Sequence, residues 1–182
     1  MMRAVVLAAA LALPSLASAL EVVPVAEDVW AIVGEKEQRS PENLGNNATF
    51  GLVVSAAGAV LIDPGGSWKG AEALHAAVRS VTDAPVKYVI NTGGQDHRWL
   101  GNSYWQAEGA TVIASNAAIE DQRARCSMQM TGLRQLIGAG LDGTEPAEAD
   151  VSFDAEYDLE LGGLSFEIRH VGPAHTPGDA FV

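Results

Sequence analysis

Cysteine is all but absent from this chain. A single residue, Cys126, cannot form an internal disulfide, so no cross-linked framework stabilises the fold. It lies in the run Arg123-Ala124-Arg125-Cys126 of a predicted helix and reads as a small, partly buried side chain. Positive charge is scarce as well. Eleven Lys and Arg stand against 23 Asp and Glu, a formal net charge of −12, which argues against nucleic acid and anionic membrane surfaces as partners. Internal repeats, low-complexity stretches and Pro-, Gly- or Ser-rich linkers are missing, so the 182 residues are expected to form one domain. Long apolar runs are missing too. The longest, Ala4 to Leu13, is too short to span a bilayer comfortably.

That run has a different use. Met1-Met2-Arg3 is a short basic start, Pro14 and Ser15 interrupt the apolar stretch, and Ala17-Ser18-Ala19 has the small-x-small form of a signal peptidase site. Residues 1–19 are therefore expected to be a signal peptide, with the mature chain beginning near Leu20. The protein is expected to be periplasmic or secreted, with no membrane association after cleavage.

The mature chain alternates between two periodicities. Val29 to Val33 is a β-branched and aromatic run that predicts a strand, and residues 34–46 form a polar loop. Phe50 to Val54 and Ala59 to Ile62 predict a hairpin about Ala56-Ala57-Gly58, ending at the turn Asp63-Pro64-Gly65-Gly66. Ser67 then caps a helix carrying Ala71, Leu74, Val78 and Val81 at helical spacing. Val86 to Ile90 reads as a buried strand, residues 102–107 as a short helix, residues 110–114 as a strand and residues 115–139 as a longer helix. A second hairpin is expected over 157–161 and 164–171, about Gly162-Gly163. The order implies a layered α/β architecture with mixed sheets.

Chemistry concentrates in two loops, each with a histidine in a Gly- or Pro-shaped segment directly after a buried strand. One is Asn91-Thr92-Gly93-Gly94-Gln95-Asp96-His97-Arg98-Trp99-Leu100-Gly101-Asn102. The other is Gly172-Pro173-Ala174-His175-Thr176-Pro177-Gly178-Asp179. Carboxylate and imidazole together are a donor set that suits zinc, although an Asp-His pair in a loop also occurs as a turn closed by a local hydrogen bond. Among the other histidines, His75 is expected at the edge of the first helix's buried face. His170 shares strand parity with Leu164, Phe166 and Ile168 and is expected to point inward. Trp99, Tyr104 and Trp105 are expected to pack rather than to wall a pocket.

Residues 86–102 resemble the strand and metal loop of the metallo-β-lactamase superfamily, usually written Asn-Thr-His-x-His-x-Asp-His-x-x-Gly-Asn. Residues 172–179 are similar to its Gly-x-x-His-Thr-Pro-Gly-Asp segment, whose histidine is a zinc ligand, and Leu61-Ile62-Asp63-Pro64-Gly65 to its Leu-Ile-Asp-x-Gly turn. The resemblance implies a metallo-β-lactamase-like αββα sandwich, here with an incomplete second half over residues 20–182. Phe181-Val182 reads as a strand cut off midway and the chain as part of a longer protein.

The His-x-His pair of the motif is not present. Anchored on Asp96-His97, the motif puts Thr92 and Gly94 in the two histidine positions, at the cost of compensating one-residue shifts. Anchored on Asn91-Thr92 and Gly101-Asn102 it needs no gap: Gly93 and Gln95 replace the histidines, and His97 and Arg98 stand where Asp and His belong. The first register is preferred here because it keeps an Asp-His pair. It implies metal ligands Asp96, His97 and His175, zinc as the metal with one ion favoured over two, Asp96 as the residue that orients or deprotonates the attacking water, and Gln95 and Arg98 as substrate contacts. The expected function is a metal-dependent hydrolase acting on an ester, thioester, lactone or amide-type small molecule. The alternative is a non-catalytic member that binds a small molecule or a protein.

Overall fold

Period-two alternation in three central strands divides the core between two faces of one sheet. In the computed structural model, which describes residues 20–182, those strands are β4 (Gly58–Ile62), β5 (Val86–Ile90) and β6 (Thr111–Ser115). Leu61, Val89 and Val112 point to one side, where they pack with Leu74, Val78, Tyr104 and Trp105. Val60, Ile90 and Ile113 point to the other, where they meet Leu159, Phe166 and Ile168. The first side is covered by the helices α1 (Trp68–Arg79) and α2 (Asn102–Ala107), the second by the hairpin β8 (Glu156–Leu161) and β9 (Leu164–Arg169).

The main sheet has seven strands in the order β1-β2-β3-β4-β5-β6-β7, with β1 (Glu21–Ala26), β2 (Val29–Val33), β3 (Thr49–Ser55) and β7 (Val151–Phe153) completing it. Pairing is antiparallel from β1 to β4 and parallel from β4 to β7. The β8–β9 hairpin turns at Gly162 and Gly163, whose φ of 58° and 88° are those of a two-residue turn that matches the strand twist. An isolated bridge between Arg169 and Phe181 adds to its outer edge. The long helix α3 (Asn116–Ile137) begins at Ser115, whose side chain accepts from the Ala118 N–H. Its last turns, with Leu133 and Ile137, close over Trp99, Leu100 and Leu141.

The mixed α/β class, the two hairpins and the three helices follow the sequence-based expectation closely. β1 and β7 were not anticipated, and β9 stops at Arg169, leaving His170 and Val171 outside it. His170 is half-buried, with its Nδ1 2.9 Å from the Asp179 carbonyl oxygen, and His75 is half-buried with its Nδ1 2.7 Å from the Tyr104 hydroxyl. Trp99, Tyr104 and Trp105 are all buried, as packing residues should be. The signal peptide expected over residues 1–19 lies outside the described residues. Among the described residues no helix is long and apolar enough to cross a membrane.

Candidate functional site

The parallel strands β4, β5 and β6 end on the same edge of the sheet, and the polar loops leave from there. A crevice beyond the carboxyl ends of parallel strands is where α/β sheets place ligands. After β4, Asp63 adopts a left-handed backbone (φ 65°) and turns its carboxylate under the loop after β5. It accepts from the Thr92 N–H at 2.8 Å and from the Thr92 hydroxyl. The turn behind it holds the same loop from below: Gly65 N–H donates to the His97 carbonyl, Gly101 N–H to the Gly65 carbonyl, and Trp105 Nε1 to the Pro64 carbonyl.

The loop's two ends are joined by Asn91 and Asn102, both fully buried, whose side-chain amides exchange reciprocal hydrogen bonds of 2.9 and 3.0 Å. Between them, Gln122 and Gln129 of α3 donate to the Gly93 and Gly94 carbonyls. Gly94 has no room for a side chain, since a Cβ there would lie 1.9 Å from Asp121 Oδ2. The loop thus presents its backbone at closely fixed positions.

The second loop is closed by Asp179. Its Oδ2 accepts from the N–H groups of His175 and Thr176, and its Oδ1 accepts from the Thr176 hydroxyl and from Arg98 Nη1. These bonds outweigh partial burial and hold the Asp179 carboxyl below its ordinary pKa. The two loops then meet at two places. Ala180 N–H donates to the Thr92 carbonyl, and the Gln95 side-chain amide reaches the His175 imidazole, 3.0 Å between the two Nε2 atoms. His175 is exposed there. With a proton on Nδ1 its Nε2 accepts from the amide; with the amide turned over, a protonated Nε2 donates to the Gln95 oxygen.

Asp96 faces elsewhere. Its two oxygens take a two-pronged contact from Arg39 of the β2–β3 loop, 2.5 Å from Nε and 2.5 Å from Nη2, and Oδ1 also accepts from the His97 N–H. His97 Nδ1 lies 3.2 Å from Asp96 Oδ1 but is not aligned for a hydrogen bond. Burial pushes the Asp96 carboxyl up, and the contacts from His97 and Arg39 more than reverse it, to about 2.

Of the residues singled out by sequence, Gln95 and His175 are brought into contact, and Arg98 is paired with Asp179. Asp96, His97 and His175 are not assembled into one donor set: among the described residues no three His, Cys, Asp or Glu side chains are placed to hold a metal ion. A catalytic zinc ordinarily takes about three protein donors. His175 with a turned Gln95 amide supplies two, and the Asp96 oxygens are taken by a guanidinium, so the residues present do not fit the metal. The contacts suit the register that needs no gap, in which Gln95, standing for the second histidine, meets His175. Arg39, Asp63 and Asp179 were missed as site residues. Asp179 was visible in the His-Thr-Pro-Gly-Asp segment; Arg39 carries no local signal, because its partner is 57 residues away.

Asp63 gives the site a pH signature. Burial pushes its carboxyl up to about 6, against the lowering influence of the Thr92 donors and of Arg98 and His97. A folded-state pKa above the unfolded value stabilises the fold fully below pH 4 and loses that contribution as pH rises through 6. The stability of the protein relative to an Asp63→Asn variant is therefore expected to fall by about 2–3 kcal/mol between pH 4 and 7. Urea unfolding of both proteins across that range checks it, and a pH-independent difference rules it out.

The comparisons with known proteins agree with this architecture. The family model described as the metallo-beta-lactamase superfamily matches residues 45–182. Among solved structures, a metallo-beta-lactamase from Pontibacter korlensis is 22% identical with a TM-score of 0.62, over 88% of this chain and 65% of its own. A HARLDQ-motif mutant of a metallo-beta-lactamase from Cronobacter sakazakii is 23% identical with a TM-score of 0.59, over 88% and 57%. A metallo-beta-lactamase from Hirschia baltica is 15% identical with a TM-score of 0.60, over 88% and 64%. The chain thus spans less than two thirds of the length of these structures. With a matching family model over most of its length and the same α/β fold, the chain belongs to the metallo-beta-lactamase superfamily.

Proposed function

We propose that the protein is an exported hydrolase of small molecules containing an ester, thioester, lactone or amide-type bond, working at the rim where Gln95 meets His175. The observation that carries this is the 3.0 Å contact between those two side chains, from loops 80 residues apart. It presents an exposed imidazole beside an amide, at the carboxyl edge of the parallel strands. With the amide turned so that its oxygen accepts from a protonated Nε2, the neutral imidazole has Nδ1 free to take a proton from water as it attacks a carbonyl. The one-zinc site expected from the sequence is not part of this proposal, because Asp96 is committed to Arg39. Export is supported by the residue pattern of positions 1–19, and a secreted form whose mass begins at Leu20 is the expected product.

A panel of activated esters, thioesters, lactones and a chromogenic β-lactam, assayed in the presence of a chelator, tests the reading. Hydrolysis is expected to fall about 10²–10⁴-fold in His175→Ala. A second reading, a non-catalytic binding module, is favoured by one specific feature: the carboxylate expected to act on water is sealed by the guanidinium of Arg39. No turnover above buffer, with panel compounds still bound in a His175-dependent way, would select that reading over the first.

A further inference from the structure

Position 93 is where the gapless motif has its first histidine, and the structure shows what stands in that place. A Cβ on Gly93 would lie 2.6 Å from Arg98 Nη1, 2.5 Å from Asp179 Oδ1 and 3.0 Å from the Thr176 hydroxyl. Even a methyl group meets the Arg98–Asp179 ion pair before it meets free space. The guanidinium is anchored on one side: its hydrogen bonds among the described residues leave from Nη1, to Asp179 Oδ1 at 3.0 Å and to the Thr92 carbonyl at 3.2 Å. Both members of the pair are largely covered, with side-chain exposures of 22% and 13%. Asp179 is itself fixed by two backbone N–H groups and a hydroxyl.

We infer that Arg98 is a resident cation of the cleft, filling the space beside Gly93, and that this paired substitution, in addition to the loss of the two histidines, closes the site to a metal ion. The Arg98 guanidinium brings a positive charge into the cleft. It satisfies the Asp179 carboxylate, and it repels a divalent ion at close range. Gly93 and the ion pair form one unit: a side chain at 93 requires both Arg98 and the Asp179 carboxylate bound to it to move. The inference concerns the same cleft as the proposed hydrolysis but does not depend on turnover.

Two measurements test it. Zinc uptake, by elemental analysis and competition with a chromophoric chelator, is compared among the parent, Gly93→His with Gln95→His, and the triple variant that adds Arg98→Ala. The triple variant is expected to bind about one equivalent through the new pair and His175, roughly tenfold or more tightly than the double, and the parent to bind none that depends on His175. Equal uptake by the double and the triple variants overturns the inference, as does a stoichiometric ion in the parent lost on His175→Ala. The second measurement does not depend on the histidine variants folding. Gly93→Ala is expected to lower the thermal midpoint by several degrees with Arg98 present and by measurably less in an Arg98→Ala background, where the Asp179 contact remains. The same loss in both backgrounds means that Arg98 does not fill the space.

Discussion

Arg39→Ala is expected to destabilise the fold by about 3–5 kcal/mol, because it removes one partner of a largely buried ion pair and leaves the other charged. Asp96 is only 6% exposed and receives both guanidinium contacts from Arg39; without them a single backbone N–H, that of His97, remains. The loss carries its own pH signature. With Arg39 in place the Asp96 carboxyl is held at about 2, so its contribution is present above pH 4 and fades as pH falls from there towards 2. Without Arg39 the carboxyl moves upward, and the penalty shrinks in acid as the stranded charge is neutralised. Adding Asp96→Asn to Arg39→Ala should recover part of the loss at neutral pH. Chemical denaturation at pH 7 and pH 4 decides the matter, and a loss below about 1 kcal/mol at pH 7 would place the pair among ordinary surface ion pairs.

Gly178→Ala is the second change with a large expected effect. A Cβ there would sit 2.1 Å from the Ala118 backbone nitrogen and 2.2 Å from its α-carbon. The obstacle is the first turn of α3, where Ser115 both accepts from the Ala118 N–H and donates its hydroxyl to the Gly178 carbonyl. Neither side can yield without giving up a helix cap, so a cost of about 3 kcal/mol or more is expected. The displaced loop carries His175 with it, so the Gln95 contact and any activity that depends on it should be lost together. Gly132→Ala is the control. That position lies within α3 with nothing within 4 Å of the added Cβ, and about 0.5–1 kcal/mol of stabilisation is expected from the better helix former. Thermal melts of the two variants should move in opposite directions.

The contrast between these positions shows what the residues alone disclose. Strands with β-branched alternation and turn-forming ends, such as β2, β4 and β5, are legible because each buries a face whose period is written locally. β1 is not, because Pro24 interrupts it and most of its side chains are exposed. β7 has three residues and exists through its pairing with β6, Ile113 opposite Val151, which no local pattern announces. The site divides along the same line. Glycine, proline and histidine mark where the two loops lie. Which side chain each group chooses depends on contacts 29 to 82 residues away, among them Thr92 with Asp63 and Gly94 with Thr176. The Asp96-His97 pair carries the look of a ligand set, and it took the position of Arg39, in a loop that reads merely as polar, to show where that carboxylate is spent.

The order of the large sheet has a consequence for how the molecule is made. Each of its seven strands lies beside the strands that precede and follow it in the chain, so no strand waits for a distant partner. Chains emerge from the ribosome amino end first and tend to fold in that direction. Here every strand follows its sheet neighbour in the chain, and the entropy of closing each connection is that of one hairpin or one crossover. The edge that accepts the next strand advances with synthesis, from β1 to β7. The residues that seal the cleft, Ala180 on Thr92 and Asp179 on Arg98, follow all seven strands in the chain, so the loop after β5 stays open until the sheet beneath it is built.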